Sequence, residues 1–421
     1  MTSLIERIDA ANQEAFSRLV AAKPVWVDVR PALEVLPGMT RQTILHAGPP
    51  IAWQDMCGPQ KMGVVQAALH EGLAATEAEA EELIMAGKIL VAPCHEHGAV
   101  GGMAGITSAS SPMAVVYDSV HERYGYSQLF QGPAAGLLNR DDYNREARKR
   151  WTWLETVLGP VLGKAIRSTS GIPVKPMIAR ALEMGDECHN RNSAGSTVIL
   201  NALILPLYET CTDPALLQEV LDYLKVNEQF SLCLSMAAGK AMADATKGIP
   251  YSTMVSAMCR NGVNFGIKVS GLGEHWFTAP ANRIEGLFFS SEWSDADAVP
   301  DIGDSSIMET IGLGGHVQAA APALQQFVNG SFARATSVVE SMQLITLGQV
   351  AEFKIPNMNF IGAPTGIDIR KVVQTSITPV IDTAIAHKKG GVIGAGQTRA
   401  PFDCFAQALR AFGAQYKPAT A

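Results

Sequence analysis

Apolar and polar positions along this chain repeat with two periods. From Leu4 to Val20 the apolar residues Leu4, Ile8, Ala11, Phe16, Leu19 and Val20 recur at helical spacing, which predicts a first helix ended before Pro24. Val25–Val29 (VWVDV) alternates as a strand does, and Thr43–His46 reads as another. Gly58 and Pro59 open a helix through Leu69, and Thr76–Glu79 has capping-box spacing for a helix to Met85 that Gly87 ends. Lys88–Ala92 (KILVA) and Met113–Tyr117 (MAVVY) predict short buried strands. Long helical patterns follow over Asp141–Val157, Val161–Arg167, Ile178–Glu187, Ala194–Leu207, Asp213–Leu224 and Glu228–Thr246. Met254–Gly271 then changes period, with two apolar runs around Arg260-Asn261-Gly262, a hairpin signal. Ile284–Phe289 predicts a strand, Val317–Val328 and Phe332–Leu347 helices, Ile361–Ile369 and Val372–Ile381 extended chain, and Asp403–Phe412 a last helix.

This order predicts a mixed α/β (α+β) protein of several domains. The expected division is an N-terminal α/β, Rossmann-like domain over 1–125, a mainly helical domain over 126–250 and an α+β domain over 251–421. Val100–Gly105 only loosely resembles the glycine fingerprint of a dinucleotide fold, which argues against NAD. The chain is 47% hydrophobic and 17% charged, and that apolar excess suits subunit contacts, so a homo-oligomer is expected. A net charge of -7 without a basic run excludes a general nucleic-acid binder. No signal sequence and no apolar stretch of membrane-spanning length is evident. Seven scattered cysteines without a CxxC suit a reducing cytoplasm.

The candidate chemistry gathers in three loops. The first, Pro93–Met113, sets His95, Glu96 and His97 just beyond a strand. Gly98, Gly101, Gly102, Ala104 and Gly105 follow, then the hydroxyls Thr107, Ser108, Ser110 and Ser111. Glycine amides with hydroxyls suit an anionic oxygen at the C-terminal end of a strand, and a glycine-rich turn is the plainer reading. The second, Gly185–Ser193 (GDECHNRNS), holds Asp186, Glu187, His189, Asn190 and Arg191: an acid to orient a base, and a guanidinium that can fork onto carboxylate or phosphate. Its plainer reading is a solvated turn in which Asn192 or Ser193 caps the next helix. The third places Arg260, Asn261 and Asn264 near Glu274 and His275. Lys61, in the first turn of its helix, would favour an anion there, and Asp301–Asp304 with Gly312–His316 adds an acidic, glycine-rich patch. Loops 93–108, 185–193 and 260–276 are expected to converge on one anion-accepting cavity.

The ordered motifs HAGPPIAWQDMCGPQKMG, PCHEHGAVGGMAGITSASSP, GDECHNRNSAG, RNGVNFGIKVSG and GLGEHWF resemble the DUF1116 family, the YlbE/AllG-like subunits of an oxamate carbamoyltransferase, across nearly the whole chain. The resemblance implies small anionic substrates (oxamate, carbamoyl phosphate, oxalurate), FdrA-like and DUF2877-like partner subunits, and a role in anaerobic allantoin catabolism. It carries no catalytic residue assignment. In the residue reading, His95, His97, His189 and His275 are base candidates, and Arg191 and Arg260 anion clamps. No cofactor is expected. Two alternatives stand beside the transferase. One is an amide or ureide hydrolase whose divalent metal is held by His95, His97 and His189 with Glu96 or Asp186. The other is a non-catalytic scaffold whose helices between 194 and 245 hold its partners.

Overall fold

The computed structural model describes residues 3–130, 143–326, 328 and 330–416. Helix α1 (Leu4–Ala21) starts with a full capping box, Ser3 and Glu6 bonding each other's backbone amides. Strand β1 (Pro24–Pro31) and a one-turn α2 (Ala32–Val35) follow, then β2 (Thr43–His46), α3 (Gly58–His70), α4 (Glu77–Met85) and β3 (Leu90–Pro93). In chain order come β4 (Ala99–Val100), β5 (Pro112–Asp118), β6 (Arg123–Gln128), α5 (Tyr143–Trp153), α6 (Gly159–Arg167), β7 (Ile172–Pro173) and α7 (Val174–Glu183). Three long helices, α8 (Ser193–Thr210), α9 (Pro214–Val226) and α10 (Phe230–Asp244), lead to the hairpin β8 (Val255–Asn261) and β9 (Asn264–Val269). The remainder is β10 (Phe277–Pro280), β11 (Glu285–Phe288), β12 (Ile302–Gly303), α11 (Ile307–Thr310), α12 (Phe332–Ile345), β13 (Thr346–Ile355), β14 (Ile361–Ile367), α13 (Ile369–Thr375), β15 (Val380–Ala386), β16 (Val392–Arg399) and α14 (Phe402–Tyr416).

The result is a mixed α/β protein with several sheets: β4-β6-β5-β1-β7, β10-β9-β8-β12, β11-β16-β15, β13-β14 and β2-β3. The N-terminal strands do not form the open parallel sheet of a Rossmann-like unit. Parallel pairing there is confined to β2 with β3 and β4 with β6, whereas β1, β5, β6 and β7 pair antiparallel. The largest apolar cluster takes residues from all three expected stretches, Ala11 through Ala363. At its centre lies α10, buried from Phe230 to Ala243 with no polar face to offer solvent. It packs on β5 and β6 so closely that a side chain at Gly125 would strike the Ala237 carbonyl. Strand β6 (RYGYSQ) was not among the expected elements.

Two other expectations differ from the fold. The segment expected as a helix over 317–328 forms 3-10 turns, Gly314–Ala320 and Pro322–Gln326, because the chain breaks helical geometry at Val317 (φ -128). Val372–Ile381, expected as extended, opens with α13: Asp368 accepts the Arg370 amide and caps a short helix before the strand begins at Val380. Asp141, the start of one expected helix, and residue 327 lie outside the described residues. No helix among the described residues is long and apolar enough to cross a membrane.

Candidate active site

Strand β12 puts the centre of the site in place. Its two residues pair with the end of β8, Ile302 with Asn261 and Gly303 with Arg260, so Asp304 emerges beside Cys259. One turn further, α11 carries Glu309. The run Asp301–His316, of which only 301–304 and 312–316 were expected as an acidic, glycine-rich patch, is therefore the scaffold on which two histidine nodes hang.

The first node surrounds His95, which follows β3 and is 3% exposed. Its Nε2 lies 3.8 Å from Asp304 Oδ1, and the Trp276 ring meets its edge at 5.5 Å between centroids. The Asp304 carboxylate accepts the Gly48 amide at 2.7 Å and the Gly101 amide at 2.9 Å. Burial pushes Asp304 up to about 7, against those two bonds and the positive charges of Arg260 and Lys240. Lys240, buried in α10, donates to the His95 carbonyl at 3.3 Å and pairs with Asp244 at 2.8 Å, and burial brings it down to about 8. Lys247 also pairs with Asp244 at 3.0 Å, and Lys268 with Glu274. Burial, with Lys240, Lys247 and Lys268 nearby, holds His95 neutral, well below the usual histidine range.

The second node surrounds His189. The turn before α8 is wound around the Glu187 carboxylate, which accepts the amides of His189 (3.2 Å), Asn190 and Arg191 (2.9 Å). Asp186 accepts the Gly195 amide at 2.8 Å, so the acid capping α8 is Asp186 and not Asn192 or Ser193. The turn thereby aims His189 Nδ1 at Glu309 Oε1, 2.7 Å away. That oxygen also accepts the amides of Gly315 at 3.0 Å and Asp382 at 3.1 Å. Gly314 has φ +55, and a Cβ there would stand 2.1 Å from Glu309 Oε1, so the position requires glycine. Burial would raise Glu309, but the charge and hydrogen bond of His189 outweigh it and hold the carboxyl below its ordinary value. Burial, then the negative charge of Asp186, pushes Glu187 up to about 8. Burial followed by Glu187 and Glu309 raises Asp382 strongly. Three buried oxygens of this node, Glu309 Oε2, Asp382 Oδ2 and Gln318 Oε1, have no hydrogen-bond partner among the described residues.

Arg260 stands between the nodes. Its Nε and Nη2 clamp Asp301 at 2.8 and 2.9 Å, Nη1 reaches the Gly303 carbonyl and Ser305 Oγ, and Nη2 also reaches Thr383 Oγ1, next to Asp382. All five of its N–H donors are thus committed inside the protein, so Arg260 is not the anion clamp expected of it.

The other expected site residues divide unevenly. Glu96 is exposed, His97 bonds the Pro37 carbonyl at 2.7 Å, and His275 is exposed against Phe277. None of these three joins a node. Gly98 makes a left-handed turn, and the Gly101 amide serves Asp304 while a Cβ there would strike Gly105. Gly102 faces open space. Thr107 pairs its backbone with Leu45, and Ser108 bonds Ser111. The hydroxyl run therefore closes its own loop rather than cradling an anion. Asn261 closes the β8–β9 turn by accepting the Val263 and Asn264 amides, and Glu274 screens two lysines. Lys61 donates to the Gln54 carbonyl. Arg191 keeps its side chain 37% exposed, 3.4 Å from Asp186. The three loops meet in two nodes: 93–108 and 260–276 around His95, and 185–193 against α11 and β15, with Arg260 between them. Of the residues that complete both nodes, Cys259, Glu309, Gln318 and Asp382 were not singled out from the sequence, and Asp304 only as part of an acidic patch. A signal existed for one of them: Glu309 sits alone in an apolar run, and a solitary charge there is buried with a partner.

A cleft of about 150 Å³ opens beside the Gly101–Gly105 loop, lined by Pro59, Met103, Leu129, Trp151 and Ile302 among others. Its lining is mostly apolar.

Comparison with known proteins adds to this geometry. Residues 89–305 match the family described as oxamate carbamoyltransferase subunit AllG. The Escherichia coli (strain K12) protein of that name is 44% identical over 406 residues, 95% of this chain and 96% of that protein. The uncharacterized protein YahG of the same organism is 42% identical over 98% of this chain and 88% of its own length. A crystal structure of a conserved protein of unknown function from Enterococcus faecalis V583 matches with a TM-score of 0.94 at 42% identity, covering 98% of this chain and 99% of that one.

Proposed function

The chain belongs to the AllG family of oxamate carbamoyltransferase subunits, the family its motif order indicates, and from that premise we propose that it handles the proton in carbamoyl transfer to oxamate. The reaction joins carbamoyl phosphate and oxamate into oxalurate and phosphate, and serves anaerobic allantoin catabolism when run in reverse. An N–C bond forms as the carbamoyl carbon leaves its phosphate oxygen, and the proton lost from the amide nitrogen ends on phosphate. An amide nitrogen is a poor nucleophile, so the step needs a positioned base.

The observation that carries this reading is the buried His189–Glu309 pair with open acceptors beside it. With Nδ1–H donating to Glu309, Nε2 is the ring nitrogen left to take a proton. Glu309 Oε2 and Gln318 Oε1 suit the N–H groups of an amide or carbamoyl end. Asp382, holding its proton, donates to the carbonyl oxygen on which charge grows. Arg191 at the edge of the node meets the substrate's carboxylate or phosphate.

The chain works in the cytoplasm with FdrA-like and DUF2877-like subunits, itself as a homo-oligomer. Helix α8 leaves Ile204, Leu205 and Tyr208 exposed, an apolar strip of the kind assembly subunits carry. The division 1–125, 126–250 and 251–421 is kept as the proposed domain plan. The test is phosphate release from carbamoyl phosphate by the reconstituted subunits. Release depends on oxamate and falls roughly 10²–10⁴-fold with His189→Ala. Undiminished activity in that variant would assign the chemistry to a partner and leave this chain a scaffold.

A further inference from the structure

Three donor atoms of different chemistry meet at the first node without any role in the second. His95 Nε2 or Nδ1, Cys259 Sγ and a carboxylate oxygen of Asp304 lie within 4.8 Å of one another, and all three residues are buried. Neither ring nitrogen of His95 has a hydrogen-bond partner among the described residues, although the side chain is 1% exposed. Buried imidazoles are nearly always bonded, because an unpaired buried polar group costs about 1–3 kcal/mol. The 3.8 Å between His95 Nε2 and Asp304 Oδ1 is too long for a hydrogen bond. It is a few tenths of an ångström beyond the roughly 3.3–3.6 Å of two tetrahedral ligands that share one ion at roughly 2.0–2.2 Å each. The amides of Gly48 and Gly101 fix the plane of the Asp304 carboxylate, the service that groups around a metal site perform for its ligands.

We propose that His95, Cys259 and Asp304 form a binding site for a zinc-type divalent transition-metal ion. An imidazole, a thiolate and one carboxylate do not suit magnesium or calcium, which take oxygen donors. Three protein ligands leave a fourth position for water or a substrate oxygen. The apolar cleft lies nearby: Met103 and Ile302, which line it, stand two residues from Gly101 and Asp304, and none of the three ligands lines it. Lys240, Lys247 and Lys268 oppose a cation, and Asp244 and Glu274 offset two of those three charges. Ionised Cys259 and Asp304 bring two further negative charges when the metal binds. This ligand set replaces the His95–His97–His189 set considered from sequence. His97 is tied to the Pro37 carbonyl and His189 to Glu309.

Elemental analysis of the full chain purified from zinc-supplemented cells is the first test, followed by addition of cobalt(II) to metal-stripped wild-type protein. About one zinc per chain is expected, with a thiolate-to-cobalt band in the near ultraviolet. In Cys259→Ala both are lost while the circular dichroism spectrum stays that of the wild type. His189→Ala, which disables the proposed base, leaves metal content and the cobalt band unchanged, so failure of the transferase reading and of this one are told apart. Wild-type protein that takes up no zinc and shows no cobalt–thiolate band overturns the site. Equal metal content in wild type, Cys259→Ala and His95→Ala does so too.

Discussion

His95 and His189 are both buried and both face a carboxylate of the Asp301–His316 run, yet they stand in opposite surroundings. Around His189 the partners are acids: the ionised Glu309 pins one ring nitrogen at 2.7 Å, and Glu187 and Asp382, both raised by burial, lie close. Around His95 burial first, and then the charges of Lys240, Lys247 and Lys268, lower its proton affinity, and neither nitrogen has a hydrogen-bond partner among the described residues. The same side chain is thereby prepared for two tasks. An imidazole pinned by a carboxylate accepts and returns a proton in a fixed direction. A neutral imidazole with free lone pairs is a ligand. The hydrogen-bond partner makes the distinction, a carboxylate at 2.7 Å in one case and none among the described residues in the other, and burial, which the two share, does not.

The harshest way to break this contrast is to remove what both nodes lean on. Arg260→Met leaves Asp301 buried and unpaired, and a loss of about 3–5 kcal/mol in urea-unfolding free energy is expected, with both nodes disrupted together. A loss below about 1 kcal/mol would mean that the nodes do not depend on this tie.

A gentler perturbation separates the two carboxylates of the acidic node by pH. Glu187 sits at about 8 in the folded chain, above its unfolded value, so its contribution to stability is full below about 4.5 and fades as pH rises through about 8. Glu309 is shifted downward and has the opposite sign: its contribution holds above the unfolded value and is lost on acidification. The urea midpoint of wild type should therefore decline as pH rises from about 4.5 to about 8 and level off above that, and the slope should flatten in Glu187→Gln. An unaltered slope in the variant would assign the decline elsewhere.

The smallest effect belongs to a histidine in neither node. His275→Ala should change stability by no more than about 0.5 kcal/mol and leave oxamate-dependent phosphate release unchanged. A substantial loss of activity would bring the 260–276 loop back into the chemistry.

Much of the scaffold could be read along the chain because it is written in local periods. Thr43–His46 occurs as expected, Thr76 caps α4, and Asn261-Gly262 closes a hairpin. The GDECHNRNS turn was also legible, since seven polar side chains ahead of an apolar helix are hard to explain by packing. Its partner was not. Glu309 lies 120 residues from His189, and no periodicity records which remote strand or turn will deliver the acid. The hydroxyl run misled for a related reason: Ser108, Ser110 and Ser111 carry donors that suit an anion, but they fold back on one another and on Glu71. Val372–Thr375 misled locally, where β-branched residues suggested a strand and the Asp368 cap decided for a helix.

Asp304 and Glu309 hang from one short run, and Arg260 grips that run at Asp301, Gly303 and Ser305 while its other hand holds β15. Thermodynamic reciprocity then applies to any pair of occupants. A guest that draws Asp304 toward itself and so tightens the grip at Glu309 must be gripped more tightly in return, by the same factor. The sequence of addition alters the route taken to the filled state, never its free energy.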